Sequence, residues 1–303
     1  MDSTTRTEPP LSPAPDAHPH LPVRFEVPVG AVDTHAHIVG EHFVAERSYT
    51  PIPAPPVDYM AMLDATGMTY GVLVQVSVHG TDNSLLVDTL RAHPQRLRGI
   101  AVAPHNLSDR ALGELNDAGV VGLRLNTVSG GGIGLDHLAD YEALCAELGW
   151  HLQFLTHADR LGPVASRLSK LRVPFVIDHM GNFDVDVSTE SPDWQLVLKL
   201  IADGGWVKLS GAYRLSTAPG YADTIPFARS LIDVAPQRCV WGSDWPFVRL
   251  HERIERWLPD EADRRRVLRE KPSRLFGFAF WHLSGLRHTA RSYDPTDLAG
   301  TAP

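Results

Sequence analysis

Two histidines in the stretch "VDTHAHI", His35 and His37, stand two positions apart. Side chains alternate faces along a β-strand, so both rings would project to one side. Paired imidazoles can hold a metal ion, move a proton or donate hydrogen bonds to a developing oxyanion. Far along the chain, "WGSDWP" supplies Asp244, which either caps the next segment or acts as a base. Between these points, short apolar runs end in polar residues. They are Gln75 with Ser77, Arg124 with Asn126, Thr156 with His157, Asp178 with His179, and Lys208 with Ser210, with Arg214 just beyond. Buried strands rarely carry so many polar groups unless the groups converge on a site. Singly, each has a structural explanation, and a lone strand-end histidine is usually a hydrogen-bonded core residue. The shared spacing and side of His35 and His37 favour function for that pair. Lys208 is expected to pair with a carboxylate near the strands. Arg124, if buried, needs an anion; a core carboxylate and a substrate both qualify, and the reading favours substrate.

The elements that would carry these residues alternate. Apolar or β-branched runs fall at 31–38, 70–77, 97–103, 120–126, 151–157, 174–180, 206–212 and 238–244. Helical patterns such as "PPVDYMAMLDATG", "NSLLVDTLRAHP", "LADYEALCAELG" and "SPDWQLVLKLIADGG" lie between them. Repeated strand–helix alternation predicts a mostly parallel sheet. Eight such units predict a (β/α)8 barrel, an α/β TIM barrel whose active site forms at the C-terminal strand ends. An open doubly wound sheet would want a glycine-rich phosphate loop after the first strand, and "THAHIVGEH" is not one. "SGGGIG" at 129–134 reads as a loop on the barrel top. In a closed barrel the first and eighth strands are neighbours, which brings Asp244 to the histidine pair.

The chain has 303 residues, a 43% hydrophobic content and a formal charge of −8. That is enough apolar material for one large core, and the negative balance argues against nucleic acid or an anionic membrane as partner. Cys145 and Cys239 lie far apart, as free thiols in a reducing, cytoplasmic compartment would. No run is long and apolar enough to span a bilayer. Residues 1–25 read as a disordered tail without signal-peptide regions, 26–282 as the barrel, and 283–303 as a loose C-terminal tail.

"VDTHAHI" and "GSDWP", together with "IDHMG", "GLRLN", "VQVSVHGTDN" and "VKLSGAYRLS", resemble the amidohydrolase superfamily. The similarity is to the branch that includes 2-pyrone-4,6-dicarboxylate lactonase and sugar lactonases, and it covers about residues 30–280. It implies a distorted (β/α)8 barrel and a hydrolase opening a carboxylated lactone, with a place in aromatic catabolism and the small lactone as partner; a homo-oligomer is compatible. His35, His37, His179 and Asp244 would be catalytic. Arg124 and Arg214 would clamp a substrate carboxylate, while Tyr49, Ser77, Asn126 and His157 line the pocket. The branch can work without a metal, the histidines polarising the lactone carbonyl and the aspartate activating water. No cofactor is then required. One Zn2+ is the alternative, held by His35, His37, His157 and Asp244; that arrangement suits a decarboxylase or other lyase. A bridged two-metal site is not expected, since the fourth run ends in Arg124 and Asn126. A lactone isomerase would use similar groups, and a degenerate, ligand-binding barrel would not need all of them. The pattern also departs from the dicarboxylate lactonase. Asn182 follows "HMG" where an arginine stands there, and "SGGG" lacks a second one, so the pocket is expected to be less cationic.

Overall fold

A computed structural model describes residues 9–12, 14–16, 18–19, 22, 24–247 and 254–278. Its centre is an eight-stranded parallel sheet in sequential order. The strands are β1 (Val32–Ala36), β2 (Tyr70–Val74), β3 (Leu97–Ala101), β4 (Val120–Asn126), β5 (His151–Leu155), β6 (Phe175–Ile177), β7 (Trp206–Leu209) and β8 (Cys239–Trp241). Each falls inside one of the eight apolar runs. The intervening helices are α1 (Pro56–Thr66), α2 (Ser84–Ala92), α3 (Asp109–Ala118), α4 (Leu138–Leu148), α5 (Gly162–Leu168), α6 (Pro192–Ala202), α7 (Ala212–Leu215) and α8 (Ile225–Val234). This is the expected distorted (β/α)8 barrel.

Local chemistry explains the boundaries. The Ser108 side chain accepts a hydrogen bond from the Ala111 amide and opens α3, and Gly119, at φ 103°, ends it in a left-handed cap. Ser191 caps α6 in the same way, with Pro192 at the first helical position. Strands β2 and β5 are buried along their whole length, as strands sandwiched between barrel interior and helices must be.

The sheet ladder runs from β1 to β8, and the seam between its two ends is closed by separate devices. Ala36 bridges Trp245, the Asp244 amide donates to the His35 carbonyl at 2.7 Å, and the His37 amide donates to the Trp245 carbonyl at 2.7 Å. Thr34 Oγ1 donates to the Trp241 carbonyl at 2.8 Å. Buried Asp33 accepts from the Ser243 amide (2.8 Å), the Ser243 hydroxyl (2.6 Å) and the Tyr59 hydroxyl (3.2 Å). One carboxylate on β1 thus fixes the turn that carries Asp244.

The interior is layered. At the strand beginnings Phe276 and Phe278 pack among Val32, Val72 and Ile100, so the last described helix (Lys271–Phe276, α9 here) plugs the lower mouth. Above it lies a charged layer around Lys208, whose ammonium sits 5.7 Å from the centre of the Phe276 ring. The histidines and Asp244 form the layer above that.

Within the segment 1–25, Leu11 pairs with Thr50, and the Ser12 amide donates to the Thr50 carbonyl at 2.9 Å. The segment 283–303 lies outside the described residues. Among the described residues, no helix is long and apolar enough to cross a membrane. Cys145 and Cys239 are buried and free.

Candidate active site

The charged layer begins with Asp178, at the end of β6. Its Oδ2 accepts from Arg124 Nε (3.0 Å) and Gln153 Nε2 (3.0 Å), while Oδ1 lies 3.3 Å from His35 Nδ1 and 3.7 Å from Lys208 Nζ. Burial pushes this carboxyl up, but His35, Lys208 and Arg124 together hold it well below the usual carboxylate range. Lys208 therefore has the carboxylate partner expected of it; it also donates to Gln153 Oε1 at 2.7 Å. Burial lowers its pKa to about 8. Arg124 differs from expectation in one respect. Its buried guanidinium meets a core carboxylate through Nε, which orders the side chain and leaves the two terminal nitrogens as the part able to face a ligand. A strand-end acid one residue before the motif histidine carries no distinctive spacing, so sequence gave Asp178 no role.

Hydrogen-bond partners fix the imidazole tautomers. His37 Nδ1 lies 2.8 Å from the Val74 carbonyl, which can only accept, so Nδ1 carries a proton. In the neutral ring, His37 Nε2 is then a lone pair. It sits 3.2 Å from His35 Nε2, while His35 Nδ1 lies 3.3 Å from Asp178 Oδ1 and 3.4 Å from Lys208 Nζ. His179 Nδ1 meets the Ser210 hydroxyl at 2.9 Å. If that hydroxyl donates, His179 Nε2 carries a hydrogen. Burial pushes His35 well below the ordinary imidazole range and His179 down to about 3.

Asp244 closes the cluster. Its Oδ2 accepts from the Tyr213 hydroxyl (2.9 Å) and from Arg214 Nε (3.1 Å). Its Oδ1 lies 3.2 Å from His37 Nε2 and 3.7 Å from His35 Nε2, and Oδ2 is 3.9 Å from His179 Nε2. Burial pushes this carboxyl up, but His179, Arg214 and the His37 hydrogen bond outweigh it and hold Asp244 well below the usual range. Apart from His37 Nε2 at 3.2 Å, buried Asp244 Oδ1 has no hydrogen-bond partner among the described residues, and buried His179 Nε2 has none. Within a cluster of acid–base groups, atoms left so are available to a reacting group or water. Tyr213 was not anticipated; its one signal is its place beside Arg214 in "GAYRLS".

The pocket-wall residues divide. Tyr49 packs edge-on to Phe247, with ring centres 5.5 Å apart, and its hydroxyl hydrogen-bonds the Ser77 side chain; Arg214 and Asp244 lie near enough to perturb it. Asn126 has a structural duty, since its Oδ1 accepts from the Val128 and Ser129 amides and shapes the loop after β4. His157 is turned away from the histidine pair, with Nδ1 3.1 Å from the Asn182 carbonyl. The reason is local: a single 3-10 turn begins right after it and carries it beyond the end of β5.

A divalent cation fits three of the groups. His35, His37 and Asp244 each offer an atom within 4.8 Å of the others. His157 is not in that group, which corrects the expected four-ligand zinc set. The chemistry of the donors agrees with a cation: two acceptors, His37 Nε2 and Asp244 Oδ1, face each other at 3.2 Å and need either a proton or a metal ion between them. Bound there, an ion would supply Lewis acidity toward a carbonyl oxygen.

A (β/α)8 barrel with a His-x-His pair on its first strand, an ionised aspartate after its eighth and acid–base groups at its upper rim defines a class of hydrolytic barrel enzyme. The chain belongs to the amidohydrolase family, whose sequence profile matches residues 16–278. It is 35% identical over 263 residues to the 2-pyrone-4,6-dicarboxylate hydrolase of Comamonas testosteroni, covering 81% of this chain and 85% of that one. It is 33% identical over 278 residues to the 4-sulfomuconolactone hydrolase of Hydrogenophaga intermedia, covering 84% and 91%. Its fold matches the crystal structure of a probable 2-pyrone-4,6-dicarboxylic acid hydrolase from Acinetobacter baumannii with citric acid bound. There the TM-score is 0.73, the identity 29% and the coverage 82% of this chain and 100% of the other.

Proposed function

We propose that this enzyme hydrolyses a lactone bearing a carboxylate, by attack of a water that Asp244 orients and deprotonates. The observation that carries the reading is the environment of Asp244 Oδ1. It is buried, with His37 Nε2 at 3.2 Å and His35 Nε2 at 3.7 Å as its neighbours, while Oδ2 is taken by Tyr213 and Arg214. The hydrolase names of the two relatives support a cyclic ester as substrate.

The chemistry follows from the charges. The terminal nitrogens of Arg124 and the guanidinium of Arg214 hold the substrate carboxylate, by paired planar hydrogen bonds. Water oxygen bonds to the lactone carbonyl carbon as Asp244 Oδ1 takes its proton. Negative charge passes to the carbonyl oxygen, where His179 Nε2–H donates, as does the proton that His37 holds against Asp244, whose charge offsets the downward push of burial on that ring. The ring C–O bond then breaks, and Asp244 returns its proton to the departing oxygen. A carboxyl held so far down is a weak base in the free enzyme. A substrate anion that shares Arg214 weakens that restraint and raises the proton affinity of Asp244 when water must be activated.

This mechanism needs no ion at His35, His37 and Asp244, and we assign the proton between His37 and Asp244 that place. Asp244→Asn is the direct test. Turnover of carboxylated lactones is expected to fall at least about 10³-fold, while calorimetric Kd for the same compounds moves little. Near-normal turnover would remove Asp244 from the role of base.

A further inference from the structure

A cleft of about 470 Å3 opens beside the catalytic cluster and shares Arg214 with it. Arg214 turns Nε toward Asp244 and lines the cleft along its side chain, so a ligand held there reaches both spaces. Its lining includes buried Phe183 and Trp194, with His157 and Asn182 beside them. The rim carries exposed Asp159, Asp184 and Asp193. Among the lining residues Arg214 is the sole Lys or Arg, and its charge is engaged by Asp244.

Asp184 has a local duty, since its Oδ1 accepts from the Asp186 amide, and Asp193 sits in the first turn of α6, where the helix dipole favours an acid. Those duties explain the presence of acids but do not change the field they create. A cleft rimmed by one sign of charge over low-dielectric walls concentrates that field. A second carboxylate placed in it would face three carboxylates, with His157, whose Nδ1 meets the Asn182 carbonyl, as the one other basic side chain of the lining. A hydroxyl or an apolar group would meet acceptors at the rim and the buried rings of the lining.

We propose that this cleft receives the part of the lactone remote from its carboxylate, and that its rim restricts the enzyme to substrates with a single negative charge. The inference rests on the lactone-hydrolase reading for the identity of the ring and deepens it by naming the substrate class: a monoanionic lactone with an uncharged, hydroxylated or alkyl substituent.

The test compares 2-pyrone-6-carboxylate with 2-pyrone-4,6-dicarboxylate at low ionic strength, where exposed charges are least screened. The wild-type enzyme is expected to favour the monocarboxylate in kcat/KM by at least tenfold. In the double variant Asp159→Asn/Asp193→Asn that ratio is expected to shrink about three- to tenfold. Asp184 is left in place to keep its turn. If the double variant does not fold, Asp159→Lys alone is expected to shrink the ratio in the same direction. A wild-type preference for the dicarboxylate, or a ratio unmoved by the variants, overturns the proposal. Calorimetric binding of the same two compounds to Asp244→Asn needs no turnover and separates the two readings. A monocarboxylate preference in binding without hydrolysis by the wild type keeps the subsite and removes the hydrolase assignment. Equal or reversed affinities remove the subsite.

Discussion

His151 is two per cent exposed at the start of β5, and its Nε2 has no partner. Burial, reinforced by Lys208, pushes its pKa from 6.5 to about 3. Between those values the unfolded chain binds a proton that the native ring refuses, so stability falls as pH falls through the window. His179 has the same sign and span, lowered to about 3. Asp178 and Asp244, both held low, contribute stability above about 3.8 that is lost at more acid pH. Asp33 opposes them. Burial raises it to about 6, so its native form takes a proton first, and its contribution grows as pH falls from 6 toward 3.8. His151 lies at the opposite end of its strand from the reacting groups, which makes it the clean probe. His151→Leu is expected to reduce the slope of unfolding free energy against pH by about 1.4 kcal/mol per pH unit between pH 6.5 and 4. Urea titrations at several pH values measure it; an unchanged slope would mean that the native ring accepts the proton. At the same scale, Asp244 (φ 58°) and His179 (φ 49°) occupy left-handed backbone that side chains other than glycine rarely adopt. Such strain persists only where surrounding contacts over-determine it; at Asp244 the Asp33–Ser243 bonds and the seam amides do so, and at His179 the Asn182 amide and the Ser210 hydroxyl.

The seam is the element-scale counterpart. A Cβ on Gly242 would stand 2.4 Å from His35 Cβ and 2.8 Å from the His35 amide nitrogen, a strand backbone that cannot move aside. Gly242→Ala is therefore expected to destabilise the fold by about 1–3 kcal/mol and to lower kcat sharply through displaced His35. Gly113→Ala, in α3 with nothing within 4 Å, is the control and is expected to be neutral or stabilising by up to about 1 kcal/mol. Unfolding midpoints and kcat for both variants decide it; wild-type behaviour of Gly242→Ala would mean that the seam is loose. Elements were legible in sequence because strand burial and helix capping are local signals. The His35/His37 pair was legible because period two is itself a strand property. What joins elements was not. The Asp178 hub depends on the relative stagger of β4, β5, β6 and β7, which no single segment encodes. Tyr213 reaches Asp244 from a one-turn helix too short to show periodicity. His157 lies outside the metal-capable group and lines the neighbouring cleft instead, because the end of β5 could not be located to within a residue.

For the whole molecule, charge and cofactor content are the measurable properties. The chain carries a formal −8, so an anionic substrate would approach against the mean field, which the proposed clamp of Arg124 and Arg214 has to overcome. The mechanism proposed here puts a proton where a cation would otherwise bind. Protein purified without added metal or chelator is accordingly expected to contain well under one transition-metal ion per chain by elemental mass spectrometry, and to keep its activity in EDTA. About one zinc per chain, with activity tracking it, would give His35, His37 and Asp244 to the ion and make the carbonyl its ligand. The amide and carbonyl groups of His35 and His37 that close β1 onto β8 belong to the same residues that face the substrate. Barrel breathing at that junction and loss of the reactive arrangement are therefore one event. Any compound that spans His37 and Asp244 acts as a clasp, so occupancy of the site and the thermal ceiling of the whole molecule rise together.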